Sequence, residues 1–173
     1  MAVNNYQPLI KSGLENTAKQ LIWDRTQADV DYALMQERDN IYSEENLRGA
    51  YNISDRNRVG AAVNYLNECL RNTGTYHTCG NIRENRDMLD IIGNSDNREV
   101  LASLAHLRRL LPYGGTEEVP NSLDGLTYGK ANTVEHILFD LCGVLMRLWD
   151  SWLYSGDGYA SDFDAFNWQG WDA

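Results

Sequence analysis

The feature that most constrains this chain is a run in which Val134, Leu138, Leu141, Leu145, Leu148 and Trp152 follow one another at steps of 4, 3, 4, 3 and 4 residues. Such steps keep side chains on one side of a helix with 3.6 residues per turn, so the run predicts a long helix carrying a heptad-patterned apolar stripe. Burying those six side chains contributes on the order of 9–18 kcal/mol. Ordering the backbone of such a helix costs roughly 20–50 kcal/mol before its own hydrogen bonds offset part of it. Partner helices are therefore required. The stripe admits two kinds of partner: other helices of the same chain in an antiparallel bundle, or copies of itself across a coiled-coil seam.

Further helices are expected on the same grounds. Val59, Val63, Leu66 and Leu70 mark one from about Ser54 to Asn72, with Gly74 just beyond its end. Val100, Leu104, Leu107 and Leu111 mark another, which Asp96 and Glu99 open like a capping pair and Pro112 stops. Thr26 with Asp29 reads as a capping box before Val30, Ala33 and Leu34, and Ser43-Glu-Glu-Asn as the start of a short helix. Residues 73–93 are ambiguous, and a small β element fits near residues 75–80. The expected fold is all-α, a bundle of about five helices over residues 1–160, followed by a separate tail at 161–173.

Charge narrows the function classes. Fifteen basic against 25 acidic residues give a formal charge of −10, and such a field repels polyanions, so neither nucleic acid nor an anionic membrane is an expected partner. Glu135, Asp140, Arg147 and Asp150 interrupt the most apolar stretch and disfavour a membrane span. Residues 1–8 lack the basic and apolar regions of a secretory leader. Three cysteines, Cys69, Cys79 and Cys142, have no framework spacing, so a reducing place of synthesis is expected.

Catalytic patterns are sparse. His77-Thr-Cys79 with Cys69 lacks the second ligand pair that structural zinc uses. No nucleophile elbow, phosphate loop or dinucleotide fingerprint occurs, and Asp162-Phe-Asp164 lacks the rest of a calcium loop. His106 and His136 read as solvated side chains. Arg56-Asn-Arg58, Arg83–Arg86 and Arg108-Arg109 read as solvated helix faces or contacts to an acidic neighbour. No catalytic residue, cofactor or metal is expected.

The last twenty residues, from Tyr154, are rich in aromatics, Gly and Asp, with no positive charge. Large aromatics left in water are costly, so this segment is expected to dock on its own bundle or on a neighbour. The candidate interface residues are Trp152, Tyr154, Tyr159, Phe163, Phe166, Trp168 and Trp171.

Four strings then acquire meaning together: Trp23-Asp-Arg-Thr-Gln-Ala-Asp-Val30; Arg48-Gly-Ala-Tyr-Asn-Ile-Ser-Asp-Arg-Asn-Arg-Val59 with Asn64-Tyr-Leu66; Leu126-Thr-Tyr-Gly-Lys-Ala-Asn-Thr-Val-Glu-His-Ile-Leu138; and Tyr154-Ser-Gly-Asp-Gly-Tyr-Ala160. In this order they resemble a helical module of virion structural proteins (tail, baseplate or minor structural proteins) of tailed phages and prophages of Gram-positive bacteria. The resemblance spans residues 23–160. Met88 stands where a Trp is expected, and residues 162–173 have no counterpart. Independently of the family, Asn52–Asp55 and Thr127–Asn132 read as turns and N-caps, and Trp23 as an anchor of the early helix.

The resemblance implies a structural component of a phage tail or tail tip. Its implied partners are other virion tail proteins and copies of itself, a trimer first, and its place is the virion, after synthesis in the bacterial host cytoplasm. Two alternatives accompany this reading. One is a host cell-surface glycan-binding module using Tyr159, Trp168 and Trp171; the other is a small intracellular enzyme or regulator.

Overall fold

In the computed structural model the described residues are 6–38, 48–72, 79–87, 90, 93–111 and 117–156. They form five helices: α1 (Tyr6–Gln20), α2 (Gln27–Arg38), α3 (Ile53–Asn72), α4 (Asn94–Leu110) and α5 (Tyr128–Gly156). The fold is all-α, and no strand occurs among the described residues. Residues 79 and 80 are irregular, while residues 73–78 and the short helix expected at Ser43 lie outside the described residues.

The helix over Tyr6–Gln20 was not anticipated by the sequence reading, in which Pro8 and Gly13 obscured the spacing of Ile10, Leu14, Ala18 and Leu21. All four side chains are buried. Pro8 falls in the first turn, where its missing N–H has no intrahelical role. Gly13 permits a close approach: a Cβ there would lie 1.8 Å from the hydroxyl oxygen of Tyr65 on α3, and that hydroxyl donates to the Ile10 carbonyl at 3.1 Å.

α5 is the central rod. α1 lies antiparallel along it, and α3 and α4 pack on it and on each other; Lys11 meets Asp150 at one end of α1 and the Ile22 N–H meets Glu135 at the other. Val134, Leu138, Leu141 and Leu145 of the heptad stripe are buried as expected, and Ile137, Cys142 and Trp149 are buried beside them. That wider face is the signature of a helix packed into a core; a two-helix seam is narrower. The stripe is thus used inside the chain.

Several helix starts follow the capping logic. Thr26 and Asp29 form a reciprocal box, Thr26 N–H donating to Asp29 Oδ2 at 2.7 Å and Asp29 N–H to Thr26 Oγ1 at 3.3 Å. Asn52 and Asp55 do the same for α3, and Thr127 Oγ1 receives the Lys130 N–H of α5. For α4 the pair is Gly93 with Asp96, whose Oδ2 accepts the Gly93 N–H at 3.2 Å; Asp96 is not itself the cap of a box with Glu99.

Candidate functional site

Charged side chains buried in this bundle hold its irregular segments together. Arg25, in the connector between α1 and α2, has a side chain 1% exposed. Its Nε donates to the Arg48 carbonyl at 3.0 Å and its Nη1 to the Ile22 carbonyl. Nη2 reaches both Asp55 Oδ1 of α3 at 2.9 Å and Glu135 Oε1 of α5 at 2.8 Å. Glu135 is fully buried and also accepts the Ile22 N–H through Oε2. Arg58, one turn past Asp55, pairs with Asp55 and lies 3.4 Å from Glu135. Two cations thus face two anions.

Arg58 and Arg86 correct the expectation of solvated basic runs. Both are largely withdrawn from water, and Arg86 pairs with Asp96 at 3.2 Å. Burial opposes the charge of Arg58, but Glu135 and Asp55 outweigh it and hold its pKa above the usual guanidinium value. Tyr51 roofs the cluster, its ring 5.4 Å from the Arg25 guanidinium carbon and 5.9 Å from that of Arg56. Burial first, and then the Glu135 carboxylate, pushes the Tyr51 phenol upward. A carboxylate enclosed by two guanidiniums and a backbone N–H has its lone pairs occupied and no path to a substrate. The cluster acts as a latch joining the α1–α2 connector, residues 48–52, α3 and α5.

A second system uses asparagine. The carboxamide of Asn132 donates to the Arg25 carbonyl at 2.8 Å and accepts the Arg25 N–H at 3.1 Å. Along α3 the same pairing occurs three times with the irregular segment 79–87, a strap that runs antiparallel to the helix. Asn57 holds Arg86 at 2.9 Å in both directions. Asn64 holds Ile82 at 2.7 and 2.8 Å, and Asn67 holds Cys79 at 3.4 and 3.2 Å. Each carboxamide stands in for a peptide group, giving backbone without a sheet its donor and acceptor. Gly60 lies on the same face, and a Cβ there would meet the Arg83 carbonyl oxygen at 2.9 Å.

His136 is not simply solvated, contrary to the sequence expectation. Its ring stacks on Trp23 at a centroid distance of 4.8 Å, and its nitrogens lie 3.3 Å from Glu117 and 3.8 Å from Asp140. Trp23 also approaches Phe139 and so anchors the connector on α5. The Thr133 hydroxyl holds Glu117 below the usual carboxylate range; burial opposes it, and His136 adds to the lowering.

Chemistry that needs a thiolate is opposed by burial, which raises the Cys69 thiol to about 11 and Cys142 to about 12. The three cysteines are free. No group of three His, Cys, Asp or Glu side chains that could hold a metal occurs among the described residues. No described helix is long and apolar enough to cross a membrane.

The outer surface carries exposed apolar side chains on α2. Among the closely packed helix pairs, α2 takes no part. Its Ala33 is buried, while Tyr32, Leu34 and Met35 are 56%, 56% and 50% exposed. Of the interface residues expected from sequence, Trp152 and Tyr154 fall in the last turns of α5, with side chains outside the description; Tyr159, Phe163, Phe166, Trp168 and Trp171 lie outside the described residues.

No protein-family model, curated protein or solved structure matches this chain. The likeness to virion structural proteins rests on the quoted strings alone.

Neither the latch nor the strap was expected from the sequence. A signal for the strap was present: Asn57, Gly60, Asn64 and Asn67 repeat at steps of 3, 4 and 3 beside the apolar stripe of α3. The latch had a weaker one, since Asp55 with Arg58 and Glu135 occupy helix positions flanked by core residues.

Proposed function

We propose that the chain is a non-catalytic assembly subunit of a phage tail or tail tip, associating with copies of itself and with neighbouring tail proteins. The observation that carries this reading is the outward face of α2. Tyr32, Leu34 and Met35 project from a helix that is held at its N-terminal end by the Thr26–Asp29 box and by Arg48, which pairs with Asp24 and Asp29. Three large apolar side chains exposed within four residues mark a surface that other protein covers. The resemblance of residues 23–160 to virion structural proteins supports the kind of assembly.

The interior supports the same reading. Its buried charges are matched by partners in other segments, an arrangement that makes a stiff scaffold rather than a reaction centre. Binding energy at such an interface concentrates in a few large side chains, which on α2 are Tyr32 and Met35 with Leu34. Copies of the chain, a trimer first, would meet through this face.

Mass spectrometry of purified virions, with antibody labelling of intact and tail-only particles, tests the assignment. The expected result is the chain at fixed copy number in tail fractions, with label at the tail or its tip. Its absence from washed particles, despite abundant synthesis in the infected host, would overturn the virion reading.

A further inference from the structure

The groove between the C-terminal half of α1, the outer side of α3 and the strap has a volume of about 850 Å³. It follows α3 from Arg58 to Asn72, roughly 21 Å of helix at 1.5 Å per residue, which is the span of about six extended residues. Its lining is mainly polar. Gln20 of α1, Asn72 of α3, and Asn81 and Asn85 of the strap reach it, and their carboxamides bond to no other described residue.

Three observations narrow what could lie there. First, the apolar lining is shallow, chiefly Ala61, Ala62 and Ile82, so no deep pocket selects a large greasy side chain. Second, charge is nearly balanced. The head of Arg58 is held by Asp55, Arg83 by Asp90, and Glu84 by Asn64, leaving Arg71 opposed by Glu68. That disfavours a phosphate or other polyanion. Third, the aromatic in the lining, Tyr65, is committed to α1 through Ile10 and packed against Gly13. A single aromatic with its hydroxyl already bonded is a poor platform for a sugar.

The remaining chemistry is that of amide groups. On the same helix, Asn57, Asn64 and Asn67 already hold the strap through its main-chain N–H and C=O groups. The groove continues this interface with unused carboxamides on three walls. We propose that the groove binds an extended, polar peptide segment of a neighbouring protein, read chiefly through its main chain by Gln20, Asn72, Asn81 and Asn85. The strap is the internal precedent for this mode. The proposal does not depend on the virion reading.

The test uses the full chain, isotope-labelled, titrated with a capped hexaserine peptide and followed by amide chemical shifts. The expected result is a weak, saturable titration whose shifts map to residues lining the groove. Methylating alternate amide nitrogens of the peptide is expected to weaken it about tenfold or more, the loss of one to two hydrogen bonds. The variant Asn81→Ala/Asn85→Ala leaves the three ladder asparagines in place and is expected to weaken binding by a similar factor, with unchanged helical content. Gln20→Ala/Asn72→Ala provides a second reading from the opposite walls. Absence of shifts in the groove, equal binding of the methylated peptide, or full affinity in both variants would overturn the proposal. Saturable binding of chitotriose in place of the peptide would overturn it in favour of a glycan site.

Discussion

The carboxamide of Asn64 holds the main chain of Ile82 at both polar groups, donating to its carbonyl at 2.7 Å and accepting its N–H at 2.8 Å. Ile82 itself is 2% exposed, so its peptide groups have little access to water if the carboxamide is removed. Asn64→Ala is expected to cost about 2–3 kcal/mol, the loss of two hydrogen bonds plus the desolvation left uncompensated. Urea denaturation measures it. Asn64→Asp restores an acceptor but brings a carboxylate to the Ile82 carbonyl, and is expected to rescue little.

Two helical glycines are expected to respond with opposite signs to the same change. Gly60→Ala gains about 1 kcal/mol of helix propensity. Its new methyl, however, would stand 2.9 Å from the Arg83 carbonyl and 3.2 Å from Ile82 Cγ2. Displacing the strap costs about 1–3 kcal/mol, so the denaturation midpoint should fall. At Gly143 the nearest atom to an added Cβ is Arg147 Nη2 at 3.9 Å. Gly143→Ala should raise the midpoint, by about 0.5–1 kcal/mol.

The latch makes a sharper demand. Glu135→Gln keeps the size of the side chain but removes the charge facing Arg25 and Arg58, leaving guanidinium groups underpaired in the core. The expected loss is about 3–5 kcal/mol. Lys11→Met, which breaks the half-exposed pair with Asp150, should cost under about 1 kcal/mol. Denaturation of the two variants side by side checks the ranking.

Alkaline pH should weaken the fold through its buried thiols and phenol. Burial raises Cys69 from 9.0 to about 11 and Cys142 from 9.0 to about 12, and likewise raises Tyr65 from 10.0 to about 12. As pH rises past 9.0 the unfolded chain releases thiol protons that the folded chain retains. The unfolded state then binds fewer protons, so stability falls with pH and continues to fall toward the folded-state values. Urea midpoints measured between about pH 7 and about pH 11 should show this decline, and Cys142→Ala should make it shallower.

The helical architecture was legible because α3, α4 and α5 carry unbroken apolar periodicities, and their ends fall close to the caps expected at Asn52 and Thr127. α1 was not, since Gly13 looks like an interruption when it is in fact the site of contact with Tyr65. The seam on α5 left open whether its partners lay within the chain. Burial of Ile137, Cys142 and Trp149 beside it gives the answer. Arg25, the Asp55–Arg58 pair and Glu135 are far apart in sequence, and no local pattern says that four charges on three segments converge. The asparagine stripe was visible as a polar stripe, but polarity alone does not distinguish a solvated face from one that holds another piece of backbone.

The central claim, that the outward face of α2 is an assembly surface, is tested most directly by analytical ultracentrifugation of the purified full chain. The account predicts a discrete oligomer of the 19.7 kDa chain at micromolar concentration, with Tyr32→Ser/Leu34→Ser/Met35→Ser sedimenting as a monomer of unchanged helical content. A wild-type chain that stays monomeric at the highest attainable concentration, or an oligomer untouched by the triple substitution, would contradict it.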